Sequence, residues 1–168
     1  RPSEPRTGTF LPGRTGTWTA PVILIVPMAL EPKNRTPSGS PALGPLHGIR
    51  VLDLTTILLG PIATQILGDM GADVIKIEAP RGDPMRQVGP PPVNGLGAMF
   101  LGMNRNKRGV VLDLKQPKAM EALHHLIADT DIFVHNMRAQ AARRLGIDYG
   151  GLKKLNPNII YCGTYGFR

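Results

Sequence analysis

The stretch Gly48-Ile-Arg-Val-Leu-Asp-Leu-Thr-Thr-Ile-Leu-Leu-Gly-Pro-Ile-Ala-Thr-Gln-Ile-Leu-Gly-Asp-Met-Gly-Ala-Asp-Val-Ile-Lys-Ile-Glu78 decides the fold. Its two ends, Gly48–Leu54 and Asp73–Glu78, are short apolar runs with the length and branched content of buried strands. Between them Thr55 to Gly60 reads as a loop. Pro61 suits a first helical turn, because its missing N–H would be unpaired there. Ile62, Ala63, Ile66, Leu67 and Met70 then recur at helical spacing, and Gly71 ends the helix. Strand, helix and strand in about 30 residues make a βαβ unit with parallel strands and a right-handed crossover.

The alternation continues downstream. Pro80 to Gly97 is irregular and contains the run Pro90-Pro91-Pro92, and Met99–Met103 predicts a short helix. Gly109–Leu114 is a third strand, and Pro117 opens a helix through Met120, Leu123, Leu126 and Ile127. Asp131–His135 is a fourth strand, Ala139–Leu145 a short helix closed by Gly146, and Tyr149–Leu155 a further helical turn or two. Ile159–Gly163 is the fifth strand. Strands alternating with helices predict an α/β domain with an open, mostly parallel sheet. Ligands of such sheets sit beyond the carboxyl ends of the strands, so a chain stopping at Arg168 suggests a truncated domain.

Upstream the texture is different. Residues 1–44 hold eight of the 17 prolines, and no period survives, so this leader is expected to be disordered. The first methionine is Met28, which raises the expectation that residues 1–27 are not part of the natural protein. The 168 residues suit one domain at about 150 residues each. The single cysteine, Cys162, excludes a disulfide framework and a multi-cysteine zinc site. No apolar run approaches the roughly 20 residues of a membrane span, and no signal peptide is legible, so a cytoplasmic protein is expected. The net charge of +8 divides into +3 on residues 1–44 and +5 on residues 45–168. That dispersal, without a basic helix, argues against a nucleic-acid partner.

Local chemistry is sparse. The first strand–loop–helix has neither a dinucleotide glycine fingerprint nor a P-loop lysine, and Gly60-Pro61 is open to turn chemistry or to a close ligand approach. Asn104-Arg-Asn-Lys-Arg108 reads either as an anion clamp or as a solvated loop. Asp113 and Lys115 flank the end of the third strand, as ligand-facing residues or as an exposed ion pair. His124 and His125, adjacent on a helix, point about 100° apart and cannot chelate one metal, and no metal site is expected. His135 is expected to be a hydrogen-bonded residue at a strand end, and Cys162 a buried small hydrophobe.

Taken together, Pro45–Leu54, Gly60-Pro61, Leu67–Glu78, Gly82-Asp83 with Arg86, Asn104–Arg108, Leu112–Lys115, Asp131–Asn136, Arg144–Gly146, Leu155–Pro157 and Tyr161–Gly163 resemble the N-terminal part of class III CoA-transferases. That group contains formyl-CoA and carnitine CoA-transferases, and the resemblance covers residues 45–168. It implies an incomplete large Rossmann-like domain that binds coenzyme A. It implies as partners an acyl-CoA and an organic acid, and for the complete enzyme an interlocked homodimer. Carried over by position, Ile57, Leu58 and Leu59 line the thiol arm of CoA. Leu112, Asp113, Leu114 and Lys115 hold its adenosine part, and Asn136, Met137 and Arg144 add contacts. Leu58 stands where a formyl-CoA transferase has glutamine, which suits a less polar acyl group. Ala79 replaces a basic residue, for which Arg81 can substitute, and Asn136-Met-Arg-Ala-Gln140 lacks the family's Pro-Gly turn.

The nucleophilic aspartate of the family is expected beyond Arg168, so no catalytic residue is assigned within this chain. The polypeptide by itself is then expected to be inactive. An acyl-CoA racemase of the same fold and an inactive CoA-binding or interaction fragment are the alternatives.

Overall fold

A computed structural model of the chain describes residues 44–89 and 96–165. The proline-rich leader up to residue 43 and the run Pro90-Pro91-Pro92 lie outside the described residues. Strands β1 (Arg50–Leu54), β2 (Asp73–Glu78), β3 (Lys107–Val111), β4 (Ile132–His135) and β5 (Ile160–Gly163) form one sheet of order β3-β2-β1-β4-β5. Each neighbouring pair is parallel. The helices are α1 (Leu59–Asp69), α2 (Ala98–Asn104), α3 (Pro117–Ala128), α4 (Ala139–Arg144) and α5 (Tyr149–Leu155), with a 3-10 turn at Pro84–Gln87. This is the expected open parallel α/β sheet, doubly wound about β1 and β4.

The two faces of the sheet are chemically unlike. Strand alternation sends Leu52, Leu54, Ile75, Ile77 and Phe133 to one face, where they meet Ala119, Leu123 and Ile127 of α3, Ala142 of α4 and Leu152 of α5. This is the main core. On the other face a smaller cluster joins Val51, Ala72 and Val74 at the amino ends of β1 and β2 to Val134 of β4. Toward their carboxyl ends the same face turns polar, because the register partners Asp53 and Lys76 both point there and are both buried.

Helix α1 packs on that polar layer. The Asp53 carboxylate accepts hydrogen bonds from Thr64 Oγ1 of α1 at 2.6 Å and from Lys107 Nζ at the start of β3 at 3.0 Å. The remaining Lys107 donors go to Pro61 O at 2.8 Å and Asn104 Oδ1 at 2.9 Å. One ammonium therefore ties α1, α2 and β1 together at the root of β3. Burial pulls the Lys107 pKa below its usual value, and the Asp53 charge pushes back.

The structure corrects several sequence expectations. Helix α1 starts at Leu59, so Pro61 is its third residue. Its buried residues are Gly60, Pro61, Thr64 and Gln65, whereas Leu59, Ile62, Ile66 and Met70 face outward. The helical spacing was right, but the polar layer below inverts which side packs. Strand β3 is Lys107–Val111, earlier than the apolar run, because Lys107 and Arg108 spend their charges on Asp53 and Asp73. Asn104–Arg108 divides: Arg105 and Asn106 are solvated, bonded to Asp69 at the surface, whereas Lys107 and Arg108 brace the sheet. Cys162 is exposed, since its side chain shares the face of Val134 on the outer strand β5. No described helix is long and apolar enough to cross a membrane.

Replacing Lys107 by Met strands Asp53 in the interior, and breaking a buried pair in this way lowers stability by about 3–5 kcal/mol. Arg105→Ala removes a surface pair and is expected to lose less than about 1 kcal/mol. Urea unfolding of the two variants, followed by circular dichroism, compares them directly. Equal losses would contradict the anchoring role of Lys107.

Candidate functional site

The chain leaves β1 and β4 toward opposite faces, which opens a crevice at their carboxyl ends. A cavity of about 470 Å³ lies there, on the side of the main core. Its apolar floor comes from Leu54, Ile77, Leu112, Leu114, Met137 and Leu145. Lys115 and Arg144 stand exposed at its rim, and Asp113 is its one carboxylate. An apolar slot with two cations at the mouth suits a flat organic group carrying phosphate.

Each wall has a local cause. Because β3 ends at Val111, residues Leu112–Lys115 form the turn that follows it. Leu112 N–H donates to Glu78 O at 2.9 Å, and Asp113 accepts from the Lys115 backbone N–H at 3.2 Å. That bond holds the turn and leaves the Lys115 side chain outward. On the opposite wall, Met137 follows β4, and Arg144 sits in the last turn of α4.

Of the residues named from sequence, Leu112, Asp113, Leu114, Lys115, Met137 and Arg144 come together in this crevice. Ile57, Leu58 and Leu59 do not line it. They stand exposed on the adjoining β1–α1 loop and, for Leu59, at the first residue of α1. Asn136 is also outside the lining, and its amide is engaged with Thr56: it donates to Thr56 O at 2.8 Å and accepts from Thr56 N–H at 3.1 Å. Ala79 joins the wall, and Arg81 is exposed beside it. Thr56 and Ala141 complete the lining and were not singled out from sequence, because small residues with no charge carry no motif.

Behind the Met137 wall lies His135, wholly buried. Its Nδ1 accepts the Met137 backbone N–H at 3.1 Å, which assigns the ring proton to Nε2, 2.6 Å from Tyr161 Oη. Tyr161 stacks on Phe133 with centroids 5.9 Å apart. Burial pushes the His135 pKa below the ordinary 6.5 and the Tyr161 phenol above its usual value. His135 is therefore the hydrogen-bonded strand-end residue expected, and it orients one wall of the crevice. His124 is half-buried and His125 exposed on α3, and among the described residues no group of metal-ligating side chains is assembled.

A depressed histidine pKa means that below 6.5 the unfolded chain takes up a proton the native state refuses. Stability is therefore full above that value and falls on acidification, until the native imidazole is itself protonated. The urea midpoint is expected to drop between about pH 7 and pH 5 in the parent, and to drop less in His135→Gln. Parallel profiles for the two proteins would remove His135 from the account.

Residues 46–168 match the model of CoA-transferase family III, a span containing the whole sheet and the crevice. A succinyl-CoA:glutarate CoA-transferase from Mus musculus is 39% identical over 163 residues, which is 96% of this chain and 34% of the relative. That similarity therefore extends upstream of residue 45, where the sequence alone offered no resemblance. A succinate–glutarate CoA-transferase from Agrobacterium fabrum is 43% identical, over 73% of this chain and 32% of the relative. The crystal structure of a CAIB/BAIF family protein from Brucella suis superposes with a TM-score of 0.72 at 40% identity, covering 75% of this chain and 34% of that one. The chain thus spans about one third of the length of these relatives. The family-model match over residues 46–168, the relatives and the shared fold agree: this chain belongs to CoA-transferase family III.

Proposed function

We propose that the full-length protein moves coenzyme A between an acyl-CoA and a free carboxylic acid, and that this chain carries the part of the site that holds the coenzyme. The observation that carries the reading is the crevice at the switch point, where Lys115 and Arg144 border an apolar slot built from four chain segments. The slot takes the adenine ring, and the two cations take the phosphates next to the ribose. Asp113 is placed to accept a ribose hydroxyl. The thiol arm then runs past Thr56 toward Ile57, Leu58 and Leu59. That loop is apolar, and it suits an acyl chain that is aliphatic next to the thioester. Succinyl and glutaryl groups, named for the mouse and Agrobacterium relatives, meet this condition.

The chemistry follows from the family's nucleophilic logic. A carboxylate of the full-length enzyme attacks the thioester carbonyl and expels CoA thiolate, leaving a mixed anhydride. The thiolate attacks the enzyme's own carbonyl carbon in that anhydride, releasing the first acid and forming an enzyme-bound thioester. The acceptor carboxylate repeats the two steps in reverse, and the enzyme carboxylate is regenerated. The carboxylates of Asp53, Asp73 and Asp83 are committed to Lys107, Arg108 and Lys76, and neither Asp69 nor Asp113 stands at the position of the family's nucleophile. The reading accordingly takes the nucleophile from outside residues 1–168 and leaves this chain by itself without transferase activity. The outward apolar stripe Leu59, Ile62, Ile66 and Met70 supports a full-length protein that covers α1, as an interlocked homodimer would.

Calorimetric titration of CoA into the chain tests the proposal. Charge-assisted contacts to phosphate contribute about 1.5–3 kcal/mol each, so Lys115→Ala and Arg144→Ala should each weaken binding by roughly tenfold or more. Lys153→Ala, whose ammonium lies over the Tyr149 ring of α5, should bind as the parent does. Equal affinities for all three variants would overturn the assignment.

A further inference from the structure

The loop between β1 and α1 is held almost entirely by side chains. Thr55 N–H donates to Asp53 Oδ1 at 2.8 Å, and Thr55 O accepts from Lys76 Nζ at 2.7 Å. Asn136 takes both backbone groups of Thr56. Ile57 N–H donates to Asp83 Oδ1 at 3.3 Å. The consecutive backbone groups from Thr55 N–H to Ile57 N–H thus each have a side-chain partner, drawn from β1, β2, the end of β4 and the turn before Pro84. The clamp is braced in turn. Lys76 Nζ and Asp83 Oδ2 form an ion pair at 3.0 Å in which both side chains are essentially inaccessible. Asp83 N–H donates to Glu78, which Arg86 grips through both carboxylate oxygens.

What the clamp holds is unusual. Ile57 has φ of 76°, a left-handed conformation that β-branched residues rarely adopt. A buried ion pair contributes little to stability for its desolvation, so one devoted to a loop points to geometry as its role. We propose that Lys76 and Asp83 are positioning residues of the CoA site, holding Thr55–Ile57 in the strained turn past which the thiol arm runs. The inference rests on the CoA reading above and adds the residues that set the acyl end of the site. Neither residue touches the crevice lining; both act through Thr55 and Ile57.

The test separates the two ends of the ligand. In the 168-residue chain, Lys76→Met with Asp83→Leu replaces the pair by apolar groups of similar volume, a change folds commonly tolerate. Hydrogen exchange at the Ile57 amide is expected to speed up at least about tenfold, with β1 and β4 core amides unchanged. Affinity for 3′-phospho-ADP, which fills only the crevice, should stay at the parent value, while affinity for CoA should fall about tenfold toward it. Asn136→Ala leaves the ion pair intact and frees Thr56, so it should lose CoA selectively in the same direction. If the double variant does not fold, Asp83→Asn, which keeps the side-chain volume and removes the charge that holds Lys76, decides the matter by the same selective loss of CoA. Parent-like CoA binding in the variants, or equal loss of both ligands, would overturn the positioning role. A parent chain that binds neither ligand would overturn the CoA reading instead, and unchanged exchange at Ile57 would then overturn the clamp independently.

Discussion

The polar face of the sheet is built round the buried ion pair between Asp53 and Lys107. Its charges lie in the interior, and separating them would leave a carboxylate with no solvent to turn to. The geometry that keeps them together also fixes Thr64 of α1, Pro61 O and Asn104 of α2. Buried pairs of this kind specify an arrangement more than they stabilise it. Here the arrangement is the seat of α1 on the sheet. An apolar helix face cannot pack on a carboxylate and two ammonium groups, so α1 presents Gly60, Pro61, Thr64 and Gln65 inward.

Two functions follow from the unequal faces. The apolar face builds the core with α3, α4 and α5, and its upper edge becomes the floor of the crevice: Leu54 and Ile77 end the core strands and begin the cavity lining. The polar face reaches the same crevice from behind, through Lys76 and Asp83, and sets the loop that borders it. His135 does the corresponding work on the β4 side, holding Met137 by its backbone N–H. The walls of the crevice are thus shaped by buried polar groups set behind its lining.

The strands and helices were legible because their signals are local. Val51-Leu52, Val74-Ile75 and Phe133-Val134 sit in short, branched or aromatic apolar runs that read as buried strands, and Pro117 with Leu123 and Ile127 writes out a helix. The crevice was legible in outline, since Leu112–Lys115, Met137 and Arg144 do converge. What could not be read was the partnering of charges. Lys107 stands between Asn106 and Arg108 like any loop cation, and only the register of β3 beside β2 brings it within reach of Asp53, 54 residues away. The same blindness hid the outward stripe of α1, because periodicity identifies a helix but not the chemistry of the surface it must meet. Cys162 misled for a simpler reason: an apolar strand need not have both faces covered.

The central claim is that ligand enters on the apolar side of the sheet while the polar side only shapes the site. Methyl-resolved NMR of the chain, labelled at isoleucine, leucine and methionine and titrated with CoA, tests it directly. The account predicts shifts at Leu112, Leu114, Met137 and Leu145, with Ile62, Ile66 and Met70 on the outer face of α1 unmoved. Shifts concentrated on Ile62, Ile66 and Met70, or none at the crevice, would contradict it.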